Sequence, residues 1–183
     1  LPTKNYFLYL GRHDHYKNLH RLIEAFTNLP NFSEYELWFA GPTDNIYTPT
    51  LKTQIKELGL TNLVKFLDYV STEELPKIIS QAIAMVFPSL WEGFGFPVLE
   101  AMACGTPVIT SNISSLPEVA GDAAILVNPK NVGEITDAMN IIAQDGGERS
   151  RLMSLSLARA KEFSWEKTGL ATREIIQQFS VSG

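Results

Sequence analysis

Short apolar runs recur along the chain and alternate with segments whose apolar residues return every three or four positions. Six runs read as strands: Asn5–Leu10, Tyr35–Ala40, 63–67, 83–87, 106–110 and 123–127. Most are continuous apolar or β-branched stretches, the pattern of strands covered on both faces. Between them, Leu19, Leu22, Ile23 and Phe26 share one helical face. Thr48-Pro49 reads as the N-cap and first turn of a second helix, which Gly59 ends. Ser71 with Glu74, and Ser115 with Glu118, have capping-box spacing. Pro76, close behind the first box, predicts a local distortion. Helices over Val132–Gln144 and 148–162 follow the last strand, and one over 165–179 ends the chain. Such alternation predicts an α/β fold, a doubly wound parallel six-stranded sheet with helices on both faces. Ligands of these sheets sit at the strand carboxyl ends, near the switch point. The loops 11–18, 41–47, 68–71, 89–96 and 111–114 are therefore the places to look.

Composition narrows the picture. With 183 residues, 45% hydrophobic and 19% charged, the chain can bury one core of ordinary domain size. A net charge of −5 argues against a general nucleic-acid binder and a polybasic membrane patch, but not against a small anion held by a few placed cations. The single cysteine, Cys104, excludes an intrachain disulfide and reads as a small core residue. No run is long enough to span a bilayer, and none reads as a signal peptide. The start at Leu1-Pro2, close to a strand-like run, reads as a boundary cut at a linker.

The segment from Pro88 to Met102 carries the most chemistry. A strand ends near Phe87, a loop with Gly93 and Gly95 follows, and Pro97 suits a first helical position. The glycines let backbone amides approach a ligand, and the helix start adds free N–H groups and a positive dipole end. These features suit phosphate. Glu100, one turn into the helix, can reach the mouth of the site and accept from a diol such as ribose. Glu92 comes from the loop and suits sugar hydroxyls beyond the phosphates. Arg12 and Lys17 leave the first strand's carboxyl edge and offer a planar fork and a point charge to an anion.

On these residues the chain resembles the retaining GT-B glycosyltransferases known as family 4. The matching blocks are Gly11-Arg12 with Lys17-Asn18, Ala40-Gly41, the stretch from Pro88 to Met102, and Gly105-Thr106-Pro107-Val108-Ile109-Thr110 with Leu116-Pro117-Glu118-Val119. Glu92 and Glu100 fit the family's paired-glutamate motif. The resemblance implies that residues 1–183 form the C-terminal, nucleotide-sugar-binding half of a GT-B fold. Arg12 and Lys17 would grip a donor diphosphate, in the place a metal takes in other transferases. Backbone amides across Gly93, Phe94, Gly95, Phe96, Pro97 and Val98 would hold the phosphates and orient the sugar. Glu92 would bind sugar hydroxyls and Glu100 the ribose. Tyr69 and Val70 would hold the base through backbone, with Gly41 beside the nucleoside and Gly11 among the donor-binding residues.

The implied reaction moves a hexose from a UDP- or GDP-sugar, UDP favoured, to a sugar or lipid-linked acceptor in polysaccharide or glycoconjugate synthesis, with retention of configuration. No metal or cofactor is expected. The acceptor site belongs to an N-terminal domain absent from this chain, towards which helix 165–179 would cross, and the chain alone is expected to be inactive in transfer. A cytoplasmic location is expected, with any peripheral membrane association left to that domain. The alternative is a non-catalytic nucleotide-sugar-binding module. A glycoside hydrolase would leave the helix start and both cations unexplained, and the Gly-x-Gly-x-x-Gly turn of a dehydrogenase is missing after the first strand. His13 and His15 read as plain polar loop residues, Trp38 as core, and Phe94 and Phe96 as shaping the cleft, with core packing open for Phe96.

Overall fold

The computed structural model describes residues 4–180; the Leu1-Pro2 start lies outside them. The strands are β1 (Asn5–Leu10), β2 (Tyr35–Ala40), β3 (Val64–Leu67), β4 (Ala84–Phe87), β5 (Val108–Ser111) and β6 (Ala124–Val127). They form one parallel sheet in the order β3-β2-β1-β4-β5-β6. The helices are α1 (Leu19–Thr27), α2 (Tyr47–Glu57), α3 (Leu75–Gln81), α4 (Phe96–Ala103), α5 (Leu116–Ala120), α6 (Val132–Gln144), α7 (Gly146–Ala160) and α8 (Trp165–Ser180). The strand order reverses direction between β1 and β4. Right-handed crossovers therefore put α1 and α2 on one face and α3 and α4 on the other. Helix α6 packs on α1, and α7 on α4, which completes the two outer layers.

The core explains the register. Phe7, Tyr9, Leu37 and Phe39 are fully buried on one face of the sheet, under Leu22, Ile23 and Phe26 of α1. In-register pairing of Leu8 with Trp38 places Tyr6 and Trp38 on the other face. There their rings stack at 4.0 Å and the indole donates to buried Glu36 at 2.7 Å. Trp38 is core, as expected. Cys104 is only half-buried against the core, with its thiol pushed up by burial.

Several helix ends differ from the sequence reading. Helix α2 starts one residue before Thr48, and Asp44 caps it: its Oδ1 accepts from Tyr47 N–H at 2.5 Å and Ile46 N–H at 2.9 Å. Those two amides hold the Asp44 carboxyl below its ordinary range. Thr48 is instead buried and accepts from Asp44 N–H at 2.8 Å. The other end follows the reading: Gly59 N–H bonds Lys56 C=O and Leu60 N–H bonds Ile55 C=O, a Schellman closure. Ser71 does accept from Glu74 N–H at 3.2 Å. Pro76 lies in the first turn of α3, where no intrahelical N–H is needed, so the expected distortion is absent. Helix α7 starts two residues earlier than expected because Asp145 accepts from Gly147 and Glu148 N–H.

Candidate functional site

The carboxyl ends of β1, β2 and β4 meet through tightly packed backbone. Gly11 N–H donates to Ala40 C=O at 2.9 Å, and a Cβ on Gly41 would lie 2.4 Å from Gly11 O. Gly41 also has φ +134, so both geometry and space demand glycine there. Below this contact Tyr9 is fully buried, stacked on Phe87, and its hydroxyl donates to Arg12 C=O at 2.7 Å. Burial holds that phenol well above its ordinary pKa, so it remains a donor.

Asn18 ties three loops together. It is fully buried at φ 64, and its Nδ2 donates to Pro88 C=O at 3.0 Å and Pro129 C=O at 2.6 Å. Its Oδ1 accepts from Arg21 at 2.8 Å. The sequence reading matched Asn18 to a motif block without a task; the structure gives it this one. Leu90 N–H adds a bond to Tyr16 C=O at 2.8 Å. The loop after β1 is thereby fixed against the loop after β4.

That fixing brings Lys17 onto Glu92. Lys17 Nζ lies 2.6 Å from Glu92 Oε1, and the two side chains are only 10% and 12% exposed. The ammonium also sits over the rings of Tyr16 at 4.8 Å and Phe87 at 5.2 Å. A cation and a carboxylate 75 positions apart thus form a nearly dry pair beside Gly93. Arg12 behaves differently. Its side chain is 65% exposed and its Nε lies 3.6 Å from Asp14. Among the described residues no hydrogen bond or ion pair joins it to the 89–96 loop. Glu100, one turn into α4, is exposed, yet the surrounding protein raises its carboxyl above the ordinary range by desolvation.

The glycine loop is an amide-rich turn. A Cβ on Gly95 (φ +104) would meet Leu116 at 2.7 Å, whereas a Cβ on Gly93 would meet nothing within 4 Å. Among the described residues, the N–H groups of Gly93, Phe94, Gly95 and Phe96 have no protein acceptor. They gather where α4 begins, with Pro97 in its first turn. This is a ready anion site. Tyr69 is 86% exposed and Val70 is half-buried, on the loop leading to α3.

Some expectations change here. Ser115 does not cap α5 with its side chain; its hydroxyl reaches Glu92 C=O and Phe94 C=O, both at 3.0 Å. His13 is not a plain polar residue. It is fully buried among Tyr9, Phe39 and Phe66, with Nδ1 3.1 Å from Thr48 Oγ1, and burial lowers its pKa. His15 instead stacks on His20. Phe96 is 50% exposed rather than core. It joins Phe94, Phe163 and Trp165 around an apolar groove of about 340 Å³ at the junction with α8. Arg159 was missed by sequence reasoning. It donates to the Val119 and Glu118 carbonyls at 3.0 and 2.5 Å, tying α7 to α5. No helix among the described residues is long and apolar enough to cross a membrane.

Comparison with known proteins agrees with this geometry. The family model described as glycosyl transferases group 1 matches residues 1–154. O-antigen chain mannosyltransferase B of Escherichia coli is 38% identical over 169 residues, covering 91% of this chain and 44% of that protein. The O-antigen chain mannosyltransferase RfbU of Salmonella typhimurium is 39% identical over 149 residues, covering 75% and 41%. The chain therefore spans less than half the length of these curated relatives. Among solved structures, sucrose-phosphate synthase of Thermosynechococcus elongatus superposes with TM-score 0.88 at 28% identity, covering all of this chain and 47% of that one. The C-terminal domain of a group 1 glycosyl transferase from Francisella tularensis superposes with TM-score 0.79 at 25% identity, covering 88% and 87%. The six-stranded parallel architecture is that of a GT-B Rossmann-like domain.

Proposed function

The chain belongs to the glycosyl transferases group 1 family, and from that premise we propose that it is the donor-binding half of a retaining, family 4 hexosyltransferase. The reading rests above all on one observation: free amides at the start of α4 lie beside a nearly dry Lys17–Glu92 pair. The amides of Gly93, Phe94, Gly95 and Phe96 hold the donor's diphosphate, and Lys17 adds charge from the side. Arg12, exposed and paired with Asp14 at 3.6 Å, folds over the phosphates when they bind. Glu92 is held by Lys17 at one oxygen, which leaves the other for a sugar hydroxyl. Glu100 takes the ribose diol, and its raised pKa fits a carboxylate short of donors until those hydroxyls arrive. Tyr69 and Val70 offer backbone to the base.

Breaking the bond between the anomeric carbon and the diphosphate leaves charge on the departing phosphate. Fixed amides and Lys17, already in place, stabilise that charge without reorganisation. The relatives named above are mannosyltransferases, which favours mannose as the hexose and O-antigen-like polysaccharide synthesis as the setting. The base is uracil or guanine. Helix α8 exposes Trp165, Leu170, Ile175, Ile176 and Phe179, and we assign that surface to contact with the N-terminal half that carries the acceptor site. A thermal-shift panel of UDP, GDP, ADP and their sugars tests the reading. Selective stabilisation by one nucleoside diphosphate and its sugar is expected. Equal, negligible shifts across the panel would defeat it.

A further inference from the structure

We infer that Ser114 and Ser115 are positioning residues that turn the carbonyls of the glycine loop backward and so aim its amides at the donor's diphosphate. The inference rests on the donor reading above and adds to it the device that preorganises the phosphate site. Four hydrogen bonds carry it. Glu92 N–H donates to Ser114 Oγ at 3.0 Å, and the same hydroxyl donates to Glu92 C=O at 2.6 Å. Ser115 Oγ lies 3.0 Å from both Glu92 C=O and Phe94 C=O, sharing its one proton between them.

Peptide planarity converts these contacts into a direction. In a trans peptide the C=O of one residue and the N–H of the next point opposite ways. With the Glu92 carbonyl drawn to the serines, Gly93 N–H points away from them. With the Phe94 carbonyl drawn the same way, Gly95 N–H points away too. The Gly95 carbonyl accepts from Val98 and Leu99 N–H at 3.0 and 3.4 Å inside α4. Phe96 N–H therefore faces out of the helix start. Three amides end up unpartnered and pointing off the serine loop, as a phosphate site requires.

Two features of the serines fit this task and no local one. Ser114 sits at φ 62, a left-handed conformation that disfavours serine. Ser115 stands at the N-cap of α5 yet makes no side-chain cap bond there. Both give up a favourable local arrangement, and both hydroxyls go to a loop more than twenty positions away. Leu116, next in the chain, closes on Gly95, where its Cδ2 would lie 2.7 Å from an added Cβ. The turn from Ser114 to Leu116 is thus a mould for residues 92–95.

The test uses this chain with Ser114→Gly, Ser115→Ala and Ser115→Thr. Glycine accepts the left-handed conformation, so Ser114→Gly removes the hydroxyl without loading the backbone. Calorimetry gives affinity for UDP and GDP, NMR titration gives affinity for the bare nucleosides, and thermal unfolding monitors the fold. The expected result is about tenfold weaker diphosphate binding in Ser114→Gly and Ser115→Ala, the worth of one ordinary hydrogen bond. Nucleoside binding stays at the wild-type value, and Ser115→Thr restores the diphosphate affinity. Wild-type diphosphate affinity in both hydroxyl-free variants overturns the inference. Equal losses for nucleoside and diphosphate overturn it as well, since they mark a general structural role. A wild-type chain that binds neither diphosphate overturns the donor reading itself, and this inference with it.

Discussion

Lys17→Met removes the ammonium of the nearly buried pair and keeps most of the aliphatic stem. Glu92 then keeps a carboxylate that is 12% exposed and has lost its cation at 2.6 Å. Stranding one member of a buried pair costs about 3–5 kcal/mol. The lower end, about 3 kcal/mol, applies because each side chain retains about a tenth of its surface in water. For a chain of this size, about 2–4 °C per kcal/mol places the melting temperature roughly 6–12 °C below wild type.

The double variant Lys17→Met/Glu92→Gln removes both charges. It leaves an amide that needs only neutral hydrogen bonds, so most of the lost stability returns. Donor binding follows a different course. If Lys17 grips the diphosphate, both variants lose affinity, and restoring the fold does not restore the ligand. Urea unfolding of the four members of the cycle gives the coupling energy, and calorimetry with UDP and GDP gives the affinities. A double variant no more stable than Lys17→Met would refute the claim that the pair is dry enough for a stranded charge to matter. A double variant that recovers diphosphate affinity with its stability would refute the assignment of Lys17 to the phosphates.

Further expectations follow from the same geometry. Gly41→Ala forces a Cβ to within 2.4 Å of Gly11 O and should destabilise by at least about 2 kcal/mol in urea unfolding; Gly93→Ala, with open space around it, should hold stability within about 1 kcal/mol while weakening diphosphate binding. Arg12→Ala should weaken the donor by about 10- to 150-fold, equivalent to ~1.5–3 kcal/mol, with the melting temperature unchanged because the side chain is exposed; unaltered calorimetric affinity removes Arg12 from the site. Glu100→Gln should weaken ribonucleotides more than dideoxyribonucleotides, and an unchanged ratio ends the ribose assignment. His13 is held below its ordinary pKa of 6.5 by burial, so the unfolded chain takes up the proton first. Its stabilisation is present above about pH 6.5 and is lost as pH falls toward the folded value. Glu100, held above the ordinary range, acts in the opposite sense. The wild-type minus His13→Asn difference in unfolding free energy isolates His13, and it should shrink on going from pH 7.5 to 5.5; a flat difference refutes the argument.

The layered fold was legible because the interior of β1 and the whole of β2 are buried and mostly apolar, and the bounds of both strands were read correctly. Where the reading slipped, a hydroxyl or carboxylate had found another partner. Thr48 looked like an N-cap, but Asp44 already served the amides of Ile46 and Tyr47. That aspartate was a local signal and could have been found. Ser115 looked like the head of a capping box, and nothing nearby in sequence shows that its hydroxyl is spent on residues 92 and 94. The Lys17–Glu92 pair was hidden for the same reason: each residue was assigned to a different part of a ligand, and only the closure of β1 against β4 brings them together. His13 was misjudged because its neighbours in sequence are polar, whereas its neighbours in space are Tyr9, Phe39 and Phe66.

The physical asymmetry of the molecule bears on what this half can do alone. On the side of β1, β4 and β5 the site is fixed by hydrogen-bonded groups: buried Asn18 across three loops, buried Tyr9 under Arg12, and exposed Ser114 with half-buried Ser115 behind the glycine loop. Such rigidity suits binding, because the ligand meets amides that are already aimed and little order is lost on association. The other side is open. Helix α8 exposes much of its apolar surface, Leu170, Ile175 and Phe179 included, and a helix of 16 residues has little stability of its own without packing. Transfer needs an acceptor held against the anomeric carbon and a reaction space from which water is excluded, and both require a second wall. On the proposed donor reading, a molecule with a preformed phosphate site and an exposed apolar helix beside it should bind nucleotide sugar without that wall. It should move the sugar only when an apolar partner covers α8 and closes over Lys17 and Glu92.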